Sequence, residues 1–145
     1  MGSFLETSLY DTSLIWIEKI NHAVEPKGGT RLSSVYQLQP FELALKDTIR
    51  IGLRYNNKIK NMKNVSLYYY NQKHGWTFLP SVIHKARQVI SSTLFSLDAI
   101  SIMQDLEPPF IRKVYPENGG KFHYKDLRTI SIIADDYLSG INSEE

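Results

Sequence analysis

A chain of 145 residues with 42% hydrophobic and 22% charged side chains has the make-up of a packed, folded protein, large enough for one ordinary domain plus a fragment of another. The absence of cysteine excludes disulfides, thiolate metal sites and a cysteine nucleophile. A formal net charge of +2, with basic and acidic residues interspersed, implies no strong polyanion binding, and no apolar run approaches the roughly 20 residues that span a bilayer.

The opening "MGSFLETSLYDTS" has no basic head followed by an apolar stretch, so no export signal is visible. "SLIWIEKI" then sets Ile15 and Ile17 against Leu14, Trp16 and Glu18, and "GGTRLSSVYQLQP" reads as a glycine turn entering a strand that Pro40 ends. Residues 40–46 fit a short helix as well as a strand. The clearest strand is "DTIRIGLRY", in which Ile49, Ile51, Leu53 and Tyr55 alternate with Thr48, Arg50, Gly52 and Arg54. The polar tract "NNKIKNMKN" reads as a loop leading to "NVSLYYYN", so these two strands are expected to be antiparallel neighbours.

"YYYNQKHGWTFL" has the form of a hairpin whose loop covers residues 72–75, its second arm limited by Pro80. Residues 82–88 again leave helix and strand open, and "RQVISSTL" and "DAISIMQ" supply two further β-branched strands joined by "FSL". After "DLEPP" the pattern restarts with "FIRKVY", a "PENGGK" turn, "TISIIAD" and "DYLSGI". Pro108 and Pro109 fix two φ angles, which makes the joint short and stiff.

Many short strands with frequent turns predict an all-β fold, an antiparallel β-sandwich of about seven strands, rather than β-α-β units. The implied division is a sandwich over 11–104, a Pro-rich linker over 105–109, and a short, incomplete immunoglobulin-like β segment over 110–145. A segment of that size is too small to stand alone, so it is expected either to dock on the sandwich or to be mobile.

The runs "EPKGGTRLSSVYQLQPFELALKDTIRIGLRY", "NVSLYYYNQKHGWTFLPS" and "VISSTLFSLDAISIMQD" together resemble a β-sandwich module of large bacterial surface and cell-envelope proteins. That module is related in style to the sandwich domains of zonula-occludens and netrin-receptor proteins. "PPFIRKVYPENGG" and "TISIIADDYLSGI" are similar to the first strands of the bacterial immunoglobulin-like domains that follow such modules. The resemblance implies a spacer or interaction domain, without catalytic residues of its own, in the extracellular space or cell envelope of a bacterium.

Among the residues that carry chemistry, Trp76 is expected to pack between sheets. The alternative is an exposed aromatic strip of Tyr68, Tyr70 and Trp76 on which a sugar ring could stack, since alternation puts Tyr68 and Tyr70 on one face. Asp105, Glu107, Asp135 and Asp136 fall where two modules meet, and converging carboxylates there would suit Ca²⁺; the rival account is ordinary turn capping. No other cofactor is implied. His22, His74, His84 and His123 lack zinc spacing, and Ser81, His84 and Asp98 lack any nucleophile turn that would make them a triad.

Lys58, Lys60 and Lys63 share one polar loop, but three lysines release too few counterions to predict a nucleic-acid partner. The glycosylation sequon at Asn64 falls at the start of a strand and is read as coincidence. The expected function is a non-catalytic structural or interaction module, a spacer or adhesion surface whose partners are neighbouring domains, a glycan or another protein. The alternative is a carbohydrate-binding module built on the aromatic strip.

Overall fold

The computed structural model describes residues 14–21, 24–57, 59, 61–117, 119–123 and 129–138. Their strands are β1 (Trp16–Ile20), β2 (Gly29–Arg31), β3 (Val35–Gln39), β4 (Ile49–Arg54), β5 (Val65–Asn71), β6 (Gly75–Leu79), β7 (Val82–His84), β8 (Val89–Leu94), β9 (Ala99–Asp105), β10 (Phe110–Tyr115) and β11 (Ser131–Asp135). A single 3-10 turn, Lys85–Arg87, joins β7 to β8. The fold is all-β, with a larger sheet in the order β1-β3-β9-β5-β6, β2 also pairing β9, and a smaller sheet β4-β8-β7. The strands β10 and β11 form a separate two-stranded ribbon, and every pairing is antiparallel.

Alternation decides which side chains meet between the two sheets. Ile49, Ile51 and Leu53 of β4 and Ile90 and Leu94 of β8 point inward from the small sheet, and Leu38, Leu67, Leu79, Ile100 and Ile102 meet them from the large one. Between these inward residues β4 turns Arg50 and Arg54 to the outside, as a half-buried strand should. Leu97, in the crossing from β8 to β9, fills the same core.

The strands "DTIRIGLRY" and "NVSLYYYN" are not neighbours. The first pairs with β8 in the small sheet, whereas the second lies between β6 and β9 in the large one. Their apolar sides face one core from opposite layers, an arrangement that period-2 alternation permits as readily as direct pairing. The hairpin read in "YYYNQKHGWTFL" is present, with Asn71 opposite Gly75. Residues 82–88 form β7 and the 3-10 turn.

The central strands β5 and β9 are buried on both sides. On the outer side of the large sheet Val35, Tyr68, Trp76, Ala99 and Met103 gather into a second cluster, closed by Leu138 and flanked by Ile20 and Tyr70. Where β2 gives way to β3 the chain bulges away from β9, and Ser33 fills the gap: its hydroxyl accepts the Ile102 N–H at 2.9 Å and lies 3.1 Å from the buried Ser101 hydroxyl.

The joint that follows β9 is fastened to the first glycine turn. The N–H groups of Leu106 and Glu107 both donate to the Gly28 carbonyl, at 2.9 and 3.1 Å, and Gly28 takes a positive φ of 72° that suits glycine. Tyr137 and Leu138 return to the same place: Leu138 lies over Gly29 and the Tyr137 β-carbon faces Gly28. Residues 137–138 thus pack on the sandwich.

In the ribbon, Ile111 pairs with Ala134 and Val114 with Ile132, so these four side chains share one face. Ile111, Val114 and Ile132 are exposed there, as is the adjoining Ile130. The opposite face is mixed, with Phe110, Tyr115 and Ile133 beside Lys113 and Asp135, and a bulge between Ile111 and Lys113 leaves Arg112 to pair with Asp135 at 3.1 Å.

Candidate functional site

Tyr68, Tyr70 and Trp76 do lie together, but they do not form an exposed strip. Tyr68 is 1% exposed and Trp76 7%, because the outer side of the large sheet is itself covered. Trp76 donates its indole N–H to the Val24 carbonyl at 2.8 Å, and Tyr70 meets its ring edge to face at 5.4 Å. Phe78 meets Tyr68 in the same way at 5.8 Å. The sugar platform expected of these three residues is corrected accordingly: two of them are core, the other partly so. Burial, and secondarily the charges of Asp105 and Asp136, push the Tyr68 phenol well above its ordinary value.

The four carboxylates expected to converge on a calcium ion are engaged separately. Asp105, 5% exposed, accepts the Glu107 N–H at 3.1 Å, Asp136 accepts the Leu138 N–H at 2.9 Å, and Asp135 pairs with Arg112. Among the described residues no three Asp, Glu, His or Cys side chains come close enough to hold a metal ion. The reading of Asp105, Glu107, Asp135 and Asp136 as one site is therefore corrected to turn capping and a single ion pair, with Glu107 lying against Gly28.

Ser81, His84 and Asp98 are scattered. The Ser81 hydroxyl donates to the Leu79 carbonyl at 2.6 Å and accepts the Leu67 N–H at 3.1 Å, while Asp98 accepts the Ser96 hydroxyl. His84 instead lies 2.9 Å from the Ser91 hydroxyl, through Nε2. His22, Lys58 and Lys60 lie outside the described residues.

That His84 to Ser91 contact belongs to an open groove of about 410 Å³ on the outer face of the small sheet. Cross-strand pairing builds it. Thr93 of β8 sits opposite Arg50 of β4, and Ser91 sits between Gly52 of β4 and Val82 of β7. The next row brings His84 and Arg54 to either side of Val89. Because β7 begins only at Val82, the strand β8 loses its neighbour beside Thr93, and Pro80 and the exposed Phe95 wall the resulting notch. No carboxylate lines it.

A second open groove, about 620 Å³, lies at the other end of the large sheet, where Gln37, Phe41, Tyr70, Asn71 and Asp98 face one another. The polar groups there are partly occupied by the fold. Gln37 donates to the Leu97 carbonyl at 2.8 Å, and Asn71 accepts the N–H groups of Lys73 and His74 across the β5–β6 turn.

Neither the His84 to Ser91 contact nor the Arg50 groove was singled out from the sequence. The available signal was the outward parity of Arg50, Arg54, Ser91 and Thr93, but their juxtaposition depends on β4 pairing with β8, strands some 40 residues apart. No family model, curated protein or solved structure matches the chain.

Proposed function

We propose that the chain acts as a non-catalytic structural and interaction module, a spacer or adhesion surface, within a larger extracellular or cell-envelope protein of a bacterium. The observation that carries this reading is the aliphatic face of the β10–β11 ribbon. Ile111, Val114 and Ile132 stand exposed on it side by side without an intervening charge, whereas Ile49, Ile51, Ile90, Ile100 and Ile102 of the central strands are buried between the two sheets. A lone two-stranded ribbon is marginal in water, so such a face calls for a further layer of strands.

The resemblance of 110–145 to the first strands of an immunoglobulin-like unit supplies the kind of layer, and the fastening of residues 106–107 and 137–138 at Gly28 and Gly29 supports a spacer joint held at a fixed distance. No helix among the described residues is long and apolar enough to cross a membrane.

The test is an Ile111→Lys/Ile132→Lys double variant. The native chain should bind 8-anilinonaphthalene-1-sulfonate and self-associate with rising concentration in light scattering, and the variant should lose both while keeping its far-ultraviolet spectrum. Unchanged dye binding and association in a folded variant would remove the face from the interaction.

A further inference from the structure

We infer that the groove between Arg50, His84 and Phe95 on the small sheet is a binding site for an acidic saccharide, a sugar ring carrying a carboxylate, sulfate or phosphate. The inference is independent of the ribbon face. Three features of the groove determine the ligand class.

The first is charge. Arg50 is exposed and makes no ion pair with a described residue, and the same face continues through His84 and Arg54 to Lys85 and Arg87 of the 3-10 turn. With no carboxylate in the lining, the field inside the groove is positive although the chain as a whole carries only +2. A guanidinium with no ion pair to a described residue is suited to a two-pronged contact with a planar or tetrahedral oxyanion.

The second is the set of neutral hydrogen-bonding groups. Ser91 and His84, 2.9 Å apart, and Thr93 two residues along β8 present hydroxyl and imidazole groups on the same side as Arg50. Ser92, by contrast, points inward and donates to the Pro80 carbonyl at 2.7 Å, which fixes the wall of the notch. Hydroxyl and imidazole donors and acceptors match ring hydroxyls, which both give and receive hydrogen bonds.

The third is the apolar wall. Phe95 is 79% exposed at the mouth, facing Val82 across the notch, and an aromatic face is the usual partner for the C–H side of a sugar ring. At about 410 Å³ the groove falls in the size range of small-ligand sites, and its openness to solvent at the end of β7 lets a longer chain run through. A nucleic acid is the poorer occupant: one arginine inside the groove gives little counterion release, and a single exposed ring offers no run of stacking platforms.

The experiment titrates the full ¹⁵N-labelled chain with tetragalacturonate, a heparin-derived tetrasaccharide, neutral cellotetraose and an eight-residue oligothymidylate. Saturable shifts at 50, 82, 84, 91, 93 and 95 with at least one acidic saccharide are expected, with cellotetraose at least tenfold weaker. Arg50→Gln should weaken the acidic saccharide at least tenfold and Thr93→Val severalfold, both variants keeping the native spectrum elsewhere. Lys73→Gln, in the β5–β6 turn at the far end of the large sheet, should change nothing. The inference is overturned if neither acidic saccharide binds, if cellotetraose binds equally, if oligothymidylate binds more tightly than both, or if Arg50→Gln retains full affinity.

Discussion

Leu138 lies against the backbone of Gly29 so closely that a β-carbon at that glycine would overlap its side chain. The contact joins a residue near the end of the described chain to the first turn of the sandwich, and it closes the cluster that covers Tyr68 and Met103. Leu138→Ala should therefore lower stability by about 2 kcal/mol, the low end for a buried leucine at the edge of a core. Gly29→Ala should cost a further order of about 1–3 kcal/mol, because the new methyl also meets the Gln104 carbonyl on β9, which cannot turn away. Urea denaturation of the two single variants and the double variant should show less than additive losses, since removing Leu138 relieves part of the overlap. Strict additivity would mean that the tail does not pack on Gly29.

The second prediction concerns pH. Burial and the neighbouring charges of Asp105 and Asp136 hold the Tyr68 phenol in its protonated form well above the ordinary tyrosine value of 10.0. The unfolded chain releases this proton near pH 10 while the fold retains it, so Tyr68 contributes its full stabilisation below pH 10 and loses it as pH rises further. Stability measured from pH 8 to 11.5 should fall less steeply in Tyr68→Phe than in the native chain. At neutral pH the substitution should change stability by less than about 1 kcal/mol, because the hydroxyl has no hydrogen bond to a described residue. An identical alkaline slope in both proteins would contradict the burial of the phenol.

Ser33 carries the third prediction. Its hydroxyl accepts the Ile102 N–H and neighbours the Ser101 hydroxyl, at the one place where the pairing of β2 and β3 with β9 is interrupted. Ser33→Ala would leave a buried N–H without a partner beside a 0%-exposed serine, a loss of about 1–3 kcal/mol. Amide exchange at Ile102 should rise in the variant by more than at Ile100, which the ladder protects. Equal acceleration at both would point to general loosening and not to a vacated hydrogen bond.

The alternation of Ile49, Ile51 and Leu53, the "YYYNQKHGWTFL" hairpin and the strands in "FIRKVY" and "TISIIAD" were all legible in the sequence, because each depends on neighbours within about ten residues. The partner of β4 was not. Its inward isoleucines fit either layer of a sandwich, and the choice of β8 over β5 rests on contacts made across the sandwich, which no local pattern records. The same gap misplaced the aromatic strip: "NVSLYYYN" correctly puts Tyr68 opposite Leu67, but whether the outer face meets water depends on Val24 and Leu138, distant in sequence. The groove at Arg50 was hidden for the same reason.

Trp76 and Trp16 supply the final prediction, since the chain has just these two tryptophans and the fold treats them oppositely. Trp76 is 7% exposed with its N–H on the Val24 carbonyl, whereas Trp16, on the edge strand β1, is 45% exposed and donates to Glu18 at 2.9 Å. Fluorescence of Trp16→Phe, which reports Trp76 alone, should be blue-shifted and resistant to acrylamide, and that of Trp76→Phe should be red-shifted and readily quenched. Trp76→Phe should also cost about 2 kcal/mol through the lost hydrogen bond and the space left against Tyr70, while Trp16→Phe should leave stability within about 0.5 kcal/mol. Ready quenching of Trp76 would return it to the surface, and with it the sugar-stacking role that burial denies it.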